Sequence, residues 1–252
     1  MSLLDHLGLA LIALVANGLS ALAGGGAGLL QLPALIFLGL PFPVALATHK
    51  IASVALGAGA SLRHLKQSTF EARRLGLILG TGLPGVIIGA LVVLEIPPRA
   101  GEIALGILTI GLGWYSFQRP QLGQNPISVS HGPAKMIMGA AGLFVIGVLN
   151  GSLTSGTGLM VTLWLVRWYG LSYTQAVAYT LVLVGLFWNG TGALVLGTLG
   201  EVRWEWLPAL LIGSFAGGYL GASLAHRYGN RLIKRVFEVV TVLTGLALLL
   251  PW

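Results

Sequence analysis

Two stretches interrupt long apolar runs with residues suited to holding a small anion. In the first, Asn17 precedes the glycines Gly24, Gly25, Gly26 and Gly28, and Gln31 follows them. In the second, Asn150 precedes Thr154, Ser155, Gly156, Thr157 and Gly158. Each glycine weakens a helix by about 1 kcal/mol relative to alanine, so such a cluster breaks one. Where a helix resumes after a break, its first N–H groups lack intrahelical partners and carry the positive end of the helix dipole. Residues 26–29 and 156–159 are the two expected restarts. Glycine there lets a ligand approach the backbone without an intervening side chain. Ser152, Thr154, Ser155 and Thr157 can add hydroxyl donors, and Asn17, Ser20, Gln31 and Asn150 can add further polar contacts. The competing reading is that the glycines only allow close helix packing while Ser and Thr bond their own backbone.

A cation accompanies these breaks. Lys50 lies in an apolar segment, roughly 10 Å beyond Pro43 at 1.5 Å per residue. A charge at membrane depth costs at least ~2.5 kcal/mol and marks a pathway or a paired site, unless the side chain snorkels to the interface. Thr48 and His49 add a donor and a titratable group beside it. Arg167 between Trp164 and Trp168, and the pair Trp204 and Trp206, read as interfacial anchors. The spacings Gly213-x-x-x-Gly217-x-x-x-Gly221 and Gly85-x-x-x-Gly89 read as helix-packing faces.

Other chemistries find little support. The chain has no cysteine, no G-x-x-x-x-G-K-[ST] phosphate loop, and no acidic residue in the middle of a segment other than Glu238. No cofactor or metal is expected. A hydrolase using Ser155 with a distant His49 is the weak enzymatic alternative.

The elements that must position these groups are membrane helices. Of 252 residues, 56% are hydrophobic and 8% charged, with a mean hydropathy of +0.89. Soluble domains carry roughly 25% charged residues. The net charge of +7 sits in short loops, which points to a lipid bilayer as partner and not to nucleic acid. The N-terminal apolar run lacks the positive start of a signal peptide and is expected to be retained. With ~20 residues per crossing, eight apolar segments cover about 7–40, 43–62, 75–95, 99–118, 135–169, 173–197, 205–225 and 231–250. The first and fifth are interrupted at the two breaks.

Residues 1–118 and 135–252 form two tandem repeats of four segments around a polar linker at 119–134. Gly26, Gly28, Ala45, Ala47, Gly59, Gly85, Gly89 and Gly113 match Gly156, Gly158, Ala176, Ala178, Gly190, Gly217, Gly221 and Gly245 at offsets of 130–132. Internal duplication is a common plan of secondary transporters. Basic residues fill the loop after the second segment in the first repeat (Arg63, Lys66, Arg73, Arg74). In the second repeat they fill the loop after the third (Arg227, Arg231, Lys234, Arg235). If both loops are cytoplasmic, the repeats are inverted, which requires the broken segments to turn back as re-entrant hairpins.

Several motifs carry a family resemblance. They are Gly28-Leu29-Leu30-x-Leu32-Pro33, the Gly39-Leu40-Pro41 connection, Ala45-x-Ala47-Thr48-x-Lys50, Asn150-Gly-x-x-Thr-Ser-Gly-x-Gly158 and Gly170-Leu-Ser-x-x-x-Ala176. Together they resemble the TauE/SafE sulfite exporter family, also called the 4-toluene sulfonate uptake permeases. The resemblance implies a multi-pass transporter of the bacterial inner membrane that moves sulfite, sulfoacetate or related sulfur-containing anions. The second repeat departs from this pattern, with Tyr179-Thr180-Leu181 and no lysine where the first has Thr48-His49-Lys50.

The expectation is therefore an all-α polytopic membrane protein, not an enzyme. It would be a secondary transporter of small sulfur-containing anions working by alternating access. An anion channel of the same architecture is the alternative, and the residues leave a homodimer open as the assembly.

Overall fold

The computed structural model describes residues 2–23, 28, 30–65, 70–118, 132–154, 156–228, 239, 242–243 and 245–250. Gly24, Gly25, Gly26, Ser155, Lys66, Arg231, Lys234, Arg235, Glu238 and residues 119–131 of the linker lie outside them.

The described residues are helical, with no strand among them. In chain order the helices are α1 (Leu3–Ala23), α2 (Gln31–Phe37), α3 (Phe42–His64), α4 (Ala72–Leu94), α5 (Pro98–Gln118), α6 (Pro133–Ser152) and α7 (Thr157–Tyr169). Next comes α8 (Tyr173–Tyr179), which runs through a π-helical stretch, Thr180–Trp188, directly into α9 (Asn189–Leu199). A 3₁₀ turn at Trp204–Trp206 leads into α10 (Leu207–Tyr228), and residues 245–249 are again helical. Local sequence explains several boundaries. Pro41 precedes α3, with a further proline in its first turn. Gly170 ends α7 in the left-handed region at φ 68°. Ser172 and Gln175 form a reciprocal capping box at the start of α8.

Burial runs opposite to that of a soluble protein. Leu11, Ile107, Leu194 and Ile212 are 60–70% exposed, whereas Asn17, Gln31, Thr48, His49, Lys50 and Ser53 are all 0% exposed. Such a surface suits lipid, and the interior collects the polar groups. Among the described residues, five stretches are long and apolar enough to cross a membrane: Leu3–Leu22, Ala72–Leu94, Pro133–Ser152, Gln175–Leu199 and Trp204–Leu224. Three of the eight expected apolar segments are not among these five: 43–62 and 99–118 are helical, and more than half of 231–250 lies outside the described residues. The second half of 135–169 is α7. Helix α3 is as long as α4, at 23 residues, but carries the polar residues and is wrapped by α2, α5, α9, α10 and the π-helical stretch.

Glycine faces bring helix backbones together, as their spacing suggested. Gly213, Gly217 and Gly221 of α10 lie against the carbonyls of Ala10, Leu14 and Gly18 of α1. Gly85 and Gly89 of α4 lie in the same way against Phe144 and Val148 of α6. A Cβ at any of these positions would overlap the facing backbone.

Helix α7 folds back along α6. The Trp164 and Trp168 indoles stack 5.0 Å apart at 4°. Their Nε1–H groups donate to the carbonyls of Gly139 and Lys135, both at 3.1 Å, near the start of α6. The two tryptophans therefore clasp a hairpin, a role beyond interfacial anchoring. With 13 residues α7 is about 20 Å long, too short to cross a ~30 Å hydrocarbon core. Arg99 also has a structural task. It pairs with Glu102 at 3.0 Å and donates to the carbonyls of Leu248, Leu249 and Leu250, capping the last helical segment.

Candidate functional site

The break between α6 and α7 is a tight backbone reversal. Gly156, the residue before α7, has φ 67°, and Thr154 has φ 62°. A β-branched residue in the left-handed region costs on the order of 1–3 kcal/mol, so the surroundings must hold it there. They do so with hydrogen bonds. Thr154 N–H donates to Leu149 O (3.0 Å), and its hydroxyl donates to Asn150 O (2.8 Å). The Thr154 carbonyl in turn accepts from the Thr157 N–H (3.2 Å) and hydroxyl (2.6 Å).

A small cavity opens at this reversal. One wall is the break itself, with Asn150, Thr154, Thr157 and Gly158, and Gly28 of the first break joins them. The other wall comes from Thr180, Leu181, Val184 and Gly185 of the π-helical stretch, with Leu56 of α3 and Asn189 of α9. The π-helical winding recurs at functional sites because it displaces side chains from the regular helical register. Gly158 in the first turn of α7 brings the positive end of that helix to the cavity.

Behind this wall stands Lys50. Its ammonium donates to Asn150 Oδ1 at 2.7 Å and to Asn189 Oδ1 at 3.1 Å. The side chain passes over Gly192 of α9, where a Cβ would sit 3.2 Å from Cδ and Cε. Lys50 is not among the lining residues. It sets the orientation of the two amides that are, since both oxygens turn toward it and their N–H₂ groups turn away. Asn150 Nδ2 then donates to Thr157 Oγ1 (2.9 Å). Among the described residues no Asp or Glu is buried, and the ion pairs that form are at helix ends. The ammonium thus meets amide dipoles and no counter-charge, and the site has room for an anion to supply one.

The threonines behave differently from the expectation of hydroxyl donors. A hydroxyl has one proton. Thr154 and Thr157 spend theirs on backbone carbonyls, and Thr180 donates to Ala176 O at 2.9 Å. Their role in this state is to build the reversal and to present oxygen lone pairs. Asn150 Nδ2 also reaches Asn189 Oδ1 at 3.5 Å, so the donors left for an anion are the Asn189 N–H₂ group and the N–H groups that follow Thr157 in the first turn of α7.

The remaining expected site residues form a second, separate network on another side of α3. His49 Nδ1 lies 2.9 Å from Gln31 Oε1, which also accepts from Asn17 Nδ2 at 3.1 Å. Asn17 Nδ2 and Gln31 Nε2 reach Ser214 Oγ of α10 at 2.9 and 3.4 Å. Helix α2 starts at Gln31, and of the expected restart at residues 26–29 only Gly28 is among the described residues. Thr48 belongs to neither network, as its hydroxyl donates to Val44 O and accepts from the Arg203 N–H. One expected cluster is therefore two, with Lys50 serving the open cavity and His49 serving the filled one. Asn189, Thr180 and Ser214 were not anticipated. Asn189 did leave a signal, being an amide in the middle of an apolar crossing.

Helices that are apolar outside and polar around an interior break belong to proteins that pass solutes across a bilayer. The class is that of multi-pass membrane transporters. Comparison with known sequences then gives the family. The model of the sulfite exporter TauE/SafE family matches residues 9–248, and the chain belongs to it. It is similar to a "probable membrane transporter protein" of Haemophilus influenzae, 27% identical over 231 residues (91% of this chain, 89% of the relative). It is also similar to the probable membrane transporter protein YfcA of Escherichia coli K12, 27% identical over 241 residues (94% and 87%). YunE of Bacillus subtilis, with the same description, is 25% identical over 267 residues (96% and 96%). No solved structure gives a significant match to the chain.

The Lys50 contacts predict a double-mutant result. Asn150→Leu leaves a buried ammonium short of an acceptor and should cost about 3 kcal/mol, read from thermal unfolding in detergent. In a Lys50→Met background most of that loss should vanish. Equal losses in both backgrounds would show that the contact does not carry the buried charge.

Proposed function

We propose that this protein is a secondary transporter of small sulfur oxyanions, sulfite or sulfonates, across the bacterial inner membrane. The observation that carries the reading is the cavity at the α6–α7 break, where Asn150 and Asn189 are held by a lysine that has no buried carboxylate partner among the described residues. An anion entering there meets amide N–H groups and a helix N-terminus, with positive charge one residue behind. Sulfite and sulfonate groups present three oxygens on a compact head, which suits several convergent donors. The family description names sulfite export, and the relatives' names say transporter.

The arrangement of the halves supports alternating access. Helix α1 packs on α10 of the other half, and α6 packs on α4, so the halves exchange partners as a two-fold relation requires. The contacts are equivalent at the sequence offsets: Leu14 faces Gly217 as Phe144 faces Gly85, and Gly18 faces Gly221 as Val148 faces Gly89. A broken segment that turns back adds no net crossing. Each half then crosses three times, and the second half begins on the opposite side. Such an inversion would put both basic loops on one side, as the positive-inside rule asks. The anion site sits where the halves meet, as in transporters built from inverted repeats.

Uptake into proteoliposomes, across sulfite, thiosulfate, sulfoacetate and taurine, tests the substrate class. Saturable uptake with trans-stimulation is expected for at least one sulfur anion. Lys50→Gln should raise its half-saturation concentration about tenfold, equivalent to ~1.4 kcal/mol. No uptake of any member of the panel would overturn the reading, and a non-saturating flux would favour a channel.

Topology has its own check, made simple by the absence of cysteine. Single cysteines at Arg73, at the start of α4, and at Arg227, at the end of α10, should label from the same side of the membrane. Labelling from opposite sides would contradict the inversion.

A further inference from the structure

The second network contains a titratable group that the anion cavity does not use. His49 is 0% exposed, its Nδ1 is bonded to Gln31 Oε1, and its Nε2 is buried with no hydrogen-bond partner. Gln31 Oε1 is an acceptor, so Nδ1 carries the proton and Nε2 presents a bare lone pair. An orphaned buried acceptor is costly and calls for a ligand. A single nitrogen suffices for a proton and not for a metal ion, and no group of three or more metal-ligating side chains occurs among the described residues.

The neighbours say when that proton is welcome. On α3 itself, the adjacent residue is Lys50. Helix α2 offers Gln31 and α1 offers Asn17, with Asp5 and His6 at the far, lipid-exposed start of α1. Helix α10 offers Ser214, and its Tyr219 is outward-facing at 42% exposure, with His226, Arg227 and Tyr228 in its last turn. Helix α5 carries Arg99 paired to Glu102, and Tyr115. The π-helical stretch and α9 carry no titratable side chain. None of these groups gives His49 a buried carboxylate. Protonating it places a second buried cation one residue from Lys50, and like charges in a low dielectric repel strongly. An anion in the cavity offsets both.

We propose that His49 is the coupling-proton site, and that one proton enters on Nε2 as the anion enters the cavity beside Lys50. This inference rests on the anion reading above. The two binding events favour each other, and by linkage the effect is reciprocal. The proton never touches the anion, because the two sit in separate networks joined through consecutive residues of α3. Gln31 is the first residue of α2 and Asn17 lies in α1, so the protonation state of His49 bears directly on the first break. The outcome is movement of proton and anion in the same direction.

The test counts protons on binding. The full-length protein in detergent is titrated with thiosulfate, and separately with sulfoacetate, in buffers of different ionisation enthalpy. Both probes stay ionised near neutral pH, so any proton taken up belongs to the protein. The wild type should take up about one proton per bound anion, and its affinity should fall about tenfold per pH unit above the imidazole's titration. His49→Asn keeps an N–H where Nδ1 donates to Gln31 and removes the basic nitrogen. This variant should bind with an affinity that does not change over the same pH range. Binding by the wild type with no proton uptake would overturn the inference and leave the anion reading intact. So would a His49→Asn protein that takes up protons as the wild type does. Failure of the wild type to bind either probe would overturn the anion reading and this inference with it.

Discussion

A buried ammonium with no buried carboxylate among the described residues is the constraint around which this molecule is arranged. Placing Lys50 at 0% exposure inside the bundle costs several kcal/mol unless good geometry compensates. The compensation draws in distant parts of the chain. Asn150 arrives from the end of α6 and Asn189 from the start of α9, and Gly192 is bare so that the lysine stem can pass. The π-helical turn before Asn189 and the strained reversal after Asn150 then border the same space. Amide oxygens solvate the charge without neutralising it. The uncompensated remainder is what an anion would sense.

The two breaks have diverged in what fills them. After α6 the chain reverses around Gly156 and leaves a cavity, with hydroxyls spent on backbone carbonyls. At the first break, Gln31 carries its side chain into the interior and closes a network with Asn17, His49 and Ser214. At the positions matching Asn17 and Ser214, the other half has Gly147 and Gly82, whose backbones touch. A polar network on one side thus stands where bare backbone contact stands on the other.

Much of this was legible in the sequence because it depends on one-dimensional signals. Glycine clusters predict helix breaks from backbone entropy alone, and α6 ends and α7 begins within the expected stretch. Gly213, Gly217 and Gly221 predicted a packing face by spacing. A lysine in an apolar segment predicted a paired interior site. What escaped was rotational. Whether Thr48, His49 and Lys50 face one cavity or three surroundings depends on how α3 is turned against its neighbours, and consecutive helical residues point about 100° apart. Serving one site together was never sterically available to them. The hydroxyl donors expected of Thr154 and Thr157 were also misjudged, since local carbonyls capture those protons first. Asn189 was visible as an intramembrane amide, but its importance depends on Lys50 reaching it across 139 residues.

The most direct test is to see where an anion sits. Crystals soaked in selenite, the heavier analogue of sulfite, allow the selenium position to be fixed from its anomalous scattering. The account predicts one peak in the cavity between Gly158, Asn150 and Asn189, within hydrogen-bonding reach of their N–H groups. A peak against His49 and Gln31, or well-diffracting soaked crystals with no peak inside the bundle, would contradict it.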